Sequence, residues 1–185
     1  MGAQVTDLPG NVDRGWYYPL TLRIHPESKG GFSLFTAVGG WLVTITHGYL
    51  NAKWFGKHGK RFTSTDYLKS WRFILGVIVY YTGFFLIVQQ DGIMRGIRDK
   101  PGARRYEIPY GGVWEYSTSA NYFVELIAWF GFWMLSDFGP NGAFIFFVSA
   151  FNLVPRAVSN YNWYTKQFGD EFTSLNRAIL VPGVW

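Results

Sequence analysis

The chain has 185 residues, 49% hydrophobic and 21% aromatic, with only 16% charged residues and a net charge of +5. A typical soluble domain carries about 25% charge, and a disordered chain has few rings and little apolar surface to bury. The absence of cysteine excludes disulfide scaffolds and thiolate metal sites, and the segregation of the charges points to a membrane protein.

Residues 1–29 read as a polar or interfacial segment. Met1–Gly10 contains Asp7 and Pro9 and lacks the apolar core of a cleavable signal. Met1-Gly2-Ala3-Gln4-Val5-Thr6 fits the short N-myristoylation pattern. From residue 30 to 185 the pattern predicts one all-α transmembrane domain with about four spans, near 30–52, 72–90, 121–137 and 139–156. Gly30–Ala52 holds no formal charge, nor does Phe73–Gln90, nor Phe138–Pro155; Asn121–Ser136 is apolar except for Glu125. Each stretch is close to the roughly 20 residues a crossing needs. The mean hydropathy of +0.03 is low because the connecting loops are polar. Trp54, Trp71, Tyr116, Trp163 and Tyr164 stand near segment ends, where aromatic rings favour the membrane interface.

Four spans put the N-terminus, the 91–120 loop and the C-terminal tail on one side. That side carries eleven of the seventeen basic residues, against six between Lys53 and Arg72. The positive-inside rule therefore places both termini in the cytoplasm, or in the matrix of a mitochondrion. The positive charge is read as topology, and no nucleic-acid-binding pattern accompanies it.

Ionisable groups at the edges of spans are costly and mark sites. Three sets occur. Asp91, Arg95 and Arg98 follow the second span at spacings of four and three, one face of a helix that continues past the span. Asn121 and Glu125 open the third span four residues apart, and Arg156, Asn160 and Tyr164 repeat that spacing at the end of the fourth, provided helix resumes after Pro155. All three sets fall at one membrane level. Between them runs a basic Pro/Gly loop, Lys100–Gly112, that includes Tyr106. Cations, amides and free backbone N–H groups at one level suit a phosphate-bearing ligand. The plainer reading is structural: Asp91–Arg95 as an exposed helix pair, and Glu125–Arg156 as glue between spans. His25, His47 and His58 lack ligand spacing, so no metal is expected.

Residues 105–125, from Arg105-Tyr106-Glu107-Ile108-Pro109-Tyr110-Gly111-Gly112 through Tyr116, Ser117, Asn121 and Tyr122 to Glu125, resemble the signature of the steroid 5α-reductase (3-oxo-5-alpha-steroid 4-dehydrogenase) family. There the pattern runs Tyr-x-Ile-Pro-x-Gly-Gly-Leu-Phe-x-Tyr-Val-Ser-x-x-Asn-Tyr-x-Gly-Glu. The resemblance extends upstream through Lys100-Pro101-Gly102, Arg98, Arg95 and Asp91 to Gly48-Tyr49-Leu50. Downstream it takes in Arg156-Ala157, Trp163-Tyr164 and Arg177-Ala178-Ile179-Leu180-Val181-Pro182. It implies the C-terminal half of a seven-helix membrane bundle that holds NADPH among its later helices. It also implies reduction of an activated carbon–carbon double bond in a steroid, polyprenol or enoyl lipid. Carried over position by position, it assigns cofactor contact to Asp91, Arg98, Tyr106, Asn121, Glu125, Arg156 and Tyr164, beside Arg95 from the helix spacing.

The chain departs from the family pattern at several positions. Asn11 stands where the family has a catalytic Tyr, Ile87 for an Asn, Val124 for a Gly, Ala128 for a frequent Glu and Asn160 for a frequent His. The family's Gln-Glu pair that polarises the enone lies N-terminal to the matched region, on helices for which this chain is expected to be too short. Losing one such donor typically costs about a hundredfold in rate. The leading expectation is therefore a reductase-like protein that has lost its catalytic half and serves as an accessory subunit of a larger membrane complex, respiratory among the options, with lipids and other subunits as partners. The alternative is a working NADPH-dependent reductase. The mitochondrial inner membrane and the endoplasmic reticulum are the expected locations.

Overall fold

The computed structural model describes residues 34–98 and 107–185, with backbone alone at Phe35, Thr36 and Arg98. The segment predicted at 1–29, Asn11 and the Lys100–Tyr106 part of the loop lie outside the described residues. Apart from one isolated bridge between Ser117 and Ala178, the regular structure described is helical. It comprises α1 (Leu34–Phe62), a short α2 (Thr65–Leu68), α3 (Trp71–Arg98), a 3₁₀ turn (Gly112–Glu115), α4 (Ala120–Leu135), α5 (Pro140–Phe168) and a short α6 (Asp170–Thr173).

The chain divides into two compact units, residues 1–46 and 47–185. The described part of the first is the opening of α1, where Thr44 Oγ1 donates back to the Gly40 carbonyl at 2.9 Å. All the other elements belong to the second.

Two helices, α3 (Trp71–Ile97) and α5, are long and apolar enough to cross a membrane. Helices buried in a soluble core would pass the same test of length and composition. Here, however, only 11% of the most apolar window of α3 and 28% of that of α5 is buried. On α3 the residues Ile74, Ile78, Tyr81, Phe85 and Val88 recur every three or four positions and are all exposed. A stripe of that kind is stable against hydrocarbon, not against water. The other two predicted spans are also helical but fall short of the criterion. α4 has 16 residues, about 24 Å at 1.5 Å per residue. α1 starts four residues later than predicted and runs ten further, carrying Lys53, Lys57, Lys60 and Arg61; these residues are good helix formers, so the helix outlasts its apolar part.

Small residues set the packing. Gly83 of α3 lies so close to α4 that a Cβ there would sit 2.5 Å from the Ala128 nitrogen, and a Cβ on Gly131 would run into the Tyr80 backbone. Backbone approach of this kind replaces hydrophobic driving force where lipid surrounds the helices. Gly142 plays the same part between α5 and α4, beside Ser136 and Trp133.

At the α4–α5 turn a single carboxylate gathers the chain. Asp137 (φ 55°) is in a left-handed conformation that Asp tolerates. Its side chain, 8% exposed, pairs with Arg61 of α1 and with Arg72 of α3 at 2.7 Å. Tyr67 of α2 donates its hydroxyl to the Leu135 carbonyl and Trp54 Nε1 donates to that of Ser136 at 2.9 Å. Burial pushes the Tyr67 hydroxyl pKa up, with Asp137 adding to the rise and the two arginines opposing it. One helical turn further in, Asn141 Nδ2 donates to Asn51 Oδ1 at 2.8 Å.

Candidate functional site

The opposite end of this unit brings together the C-terminal end of α3, the N-terminal end of α4 and the C-terminal part of α5. α3 remains helical through Arg98, so Asp91 and Arg95 share a face, with Asp91 half-buried and Arg95 exposed. The Arg98 side chain and all of Tyr106 lie outside the described residues. α5 runs unbroken through Pro155, which aligns Arg156, Asn160 and Tyr164 as the spacing requires. Asn121 and Glu125 open α4 and are half-buried. Glu125 Oε1 accepts a bond from Trp129 Nε1 at 3.3 Å, and the charges of Arg156 and Asp91 both act on Glu125. These three residues from three helices therefore form one electrostatic group. Arg156 itself is exposed. Tyr164 stacks on Phe172 at 5.3 Å and on Phe168 at 5.8 Å.

A loop closes over this end. Gly111 (φ 97°) and Gly112 (φ 56°) adopt backbone angles that favour glycine. A Cβ on Gly112 would stand 2.9 Å from Gln90 Nε2, so the loop rests directly on the end of α3. The Gly111 N–H donates to Glu115 Oε1 at 2.6 Å. Three buried polar atoms without hydrogen-bond partners lie here, Gln90 Oε1, Trp114 Nε1 and Thr118 Oγ1, on residues that are 0%, 3% and 2% exposed; others, such as Trp133 Nε1 and Asn141 Oδ1, lie at the opposite end. Native interiors rarely leave such groups unpaired, and an amide- and phosphate-bearing ligand would satisfy them.

The tail holds the loop in place. Thr118 N–H donates to the Ala178 carbonyl at 2.8 Å and Ala178 N–H to that of Tyr116 at 3.0 Å. Ser117 Oγ donates to the Leu180 carbonyl at 2.7 Å. Arg177, 6% exposed, donates from Nη1 to the Pro109 carbonyl at 2.7 Å and lies 4.8 Å from the Tyr110 ring centre. Its Nη2 is 3.9 Å from Glu115, an ion pair but not a hydrogen bond. Burial lowers the Arg177 pKa, and Glu115, Tyr110 and Tyr164 offset part of that. A cavity of about 600 Å³ opens beside this seam, lined by Glu115, Tyr116, Asn176, Arg177 and Trp185 among others. Among the described residues no group of three His, Asp or Glu is placed to hold a metal ion.

The sequence model described as 3-oxo-5-alpha-steroid 4-dehydrogenase matches residues 31–185. The chain belongs to this family. It is 33% identical over 169 residues to steroid 5-alpha-reductase DET2 of Solanum lycopersicum, covering 91% of this chain and 63% of that protein. It is 29% identical to the Arabidopsis thaliana protein of the same name, covering 88% and 62%. Against human 3-oxo-5-alpha-steroid 4-dehydrogenase 1 it is 38% identical over 117 residues, 63% of this chain and 44% of the relative. The chain thus spans less than two thirds of the length of these relatives.

Several positions that depart from the steroid 5α-reductase pattern have a packing role. Ala128 is the residue against which Gly83 closes, and Val124 is fully buried. Asn160 Nδ2 reaches Ser119 Oγ at 3.4 Å, tying α5 to the start of α4. The sequence reasoning missed Gln90 and Arg177. Gln90 ended an apolar run and so read as the edge of a span, and Arg177 appeared only within the tail of the resemblance.

Proposed function

We propose that this chain is the cofactor-holding part of a reductase that acts on an activated carbon–carbon double bond in a lipid, such as a 3-oxo-4-ene steroid. The observation that supports the reading is that the ends of α3, α4 and α5 bearing Asp91, Glu125 and Arg156 meet beneath a loop, with Gln90 Oε1, Trp114 Nε1 and Thr118 Oγ1 buried there without partners. In this reading Arg95, Arg98 and Arg156 would be the cations for the NADPH phosphates, and Asp91, Tyr106, Asn121, Glu125 and Tyr164 its polar or aromatic contacts, the Arg98 side chain and Tyr106 being assigned from the family resemblance alone. NADPH supplies a hydride when bound. The protein's own part is to fix the dinucleotide, exclude water through the Gly111–Gly112 loop, and keep Glu125 in the joint field of one cation and one anion.

Native mass spectrometry of the chain in mild detergent, followed by NADPH oxidation with a 3-oxo-4-ene steroid, tests this. Retention of one NADPH and steroid-dependent oxidation support it. Absence of NADPH binding at millimolar cofactor refutes it.

A second reading is an accessory subunit of a larger assembly in the mitochondrial inner membrane or endoplasmic reticulum, with both termini in the matrix or cytoplasm and without turnover. It is favoured by the tight Gly83–Ala128 closure where relatives of this family frequently carry a Glu. Under it, the same spectra show a large assembly with no nucleotide on this chain.

A further inference from the structure

The end of the 47–185 unit away from the candidate site carries a strong charge imbalance. Lys53, Lys57 and Lys60 of α1 lie at i, i+4 and i+7, on one exposed face. Arg61, Lys69 and Arg72 flank them at the α1–α3 connection. The nearby acids are Asp66 and Asp137, and Asp137 is buried and already engaged by both arginines. The three lysines therefore face outward with no acidic partner on their own helix face.

Their height matters as much as their charge. Trp71, 61% exposed, begins α3, and the lipid-facing stripe of α3 starts directly below it at Ile74 and Leu75. From Trp71 to the exposed Gln89 is about 27 Å of helix, close to the roughly 30 Å of a bilayer's hydrocarbon core. Arg61 and Arg72, which meet at Asp137, stand at that end of α3, and Lys53, Lys57 and Lys60 follow Ala52, the last residue of the uncharged run in α1. Two of them lie over rings: Lys53 Nζ is 5.7 Å from the Tyr49 ring centre and Arg72 Cζ is 5.8 Å from that of Trp71. Rings at the interface with lysines just beyond them form an arrangement that fits a phosphate layer.

We propose that this face is a docking surface for anionic phospholipid headgroups, with Lys53, Lys57 and Lys60 binding lipid phosphates and Arg72 shared between Asp137 and the lipid. The inference is independent of the NADPH site. Each basic residue close to an anionic surface is worth roughly fivefold in affinity, so three lysines give a clear preference even when only part of that is realised.

The test uses the full chain, extracted in mild detergent, exchanged into equal amounts of phosphatidylglycerol and phosphatidylcholine and weighed by native mass spectrometry. Phosphatidylglycerol should be retained at least about fivefold over phosphatidylcholine in 50 mM salt. That preference should vanish in 500 mM salt, as screening shortens to a few ångströms. It should also vanish in the Lys53→Gln/Lys57→Gln/Lys60→Gln variant but persist in Lys166→Gln, which changes a lysine at the other end. Equal retention of both lipids, a preference that survives high salt, or one unchanged in the triple variant would overturn the proposal. Circular dichroism reports whether the triple variant keeps its helix; if it does not, the salt titration of the unaltered chain decides alone.

Discussion

Replacing Asp137 with Asn removes one charge from a residue that three segments share. Asn keeps the size of the side chain and its tolerance of the left-handed backbone at φ 55°, so the change isolates the electrostatics. Breaking a buried ion pair by deleting one partner costs about 3–5 kcal/mol, whereas an exposed pair is worth about 0–1 kcal/mol. Asp137 is 8% exposed, but its partners Arg61 and Arg72 are 51% and 38% exposed and regain water when the carboxylate goes. The expected loss is therefore intermediate, about 1–3 kcal/mol. For a chain of this size about 1 kcal/mol moves the melting temperature by roughly 2–4 °C, so Asp137→Asn should melt about 2–12 °C lower. Tryptophan fluorescence during heating in detergent reads this directly, since Trp54 and Trp133 lie close to the cluster. A double-mutant cycle of Asp137→Asn with Arg72→Ala should show coupling of about 1 kcal/mol. A melting temperature within about 1 °C of the unaltered protein, together with strict additivity, would refute the idea that this carboxylate pins α1, α3 and the α4–α5 turn.

Gly83→Leu forces side-chain atoms into the Ala128 backbone and should cost at least about 1–3 kcal/mol by overpacking, measured by the same heating experiment. Arg156→Ala and Glu125→Gln should each abolish NADPH retention in native mass spectra while leaving the helical circular dichroism signal intact. Arg177→Ala strips the Pro109 carbonyl of a buried charged donor and should cost about 1.5–3 kcal/mol, seen as faster proteolysis of the 107–119 loop. Because burial raises the folded pKa of Tyr67 above its ordinary 10.0, its neutral form stabilises the fold below about pH 10. That contribution is lost as pH climbs through the raised value. Melting temperatures from pH 8 to 11 should fall more steeply for the unaltered chain than for Tyr67→Phe.

Much of this architecture is written in local patterns. The uncharged runs mark the helices because lipid-facing segments need little else, and the spacing of four alone places Asp91 with Arg95, and Arg156 with Asn160 and Tyr164. Pro155 was the doubtful point. α5 continues through it, as membrane helices do where neighbouring helices and local adjustment re-satisfy the freed backbone group. What local pattern could not give was pairing at long range. Nothing in the run Asn51–Arg61 says that it meets Asp137 and Asn141, since a polar residue on a helix looks solvated until its partner appears. The seam between Ser117 and Ala178 is likewise a single bridge with no strand periodicity on either side. The apolar character of α4 also serves close helix contact, as Gly83 against Ala128 and Gly131 against Tyr80 show.

The seam between the loop and the tail also dictates an order of assembly. α3 and α4 end at Arg98 and Leu135, well before residues 177–180 in the chain. The loop at 107–119 nonetheless takes hydrogen bonds from, and gives them to, Ala178 and Leu180, and receives the Arg177 guanidinium at Pro109. The loop at 107–119 can therefore close only once residues 177–180 are present, after the helices that it caps have formed. Without that tail the loop that covers Gln90 would lose the bonds holding Pro109, Tyr116, Ser117 and Thr118.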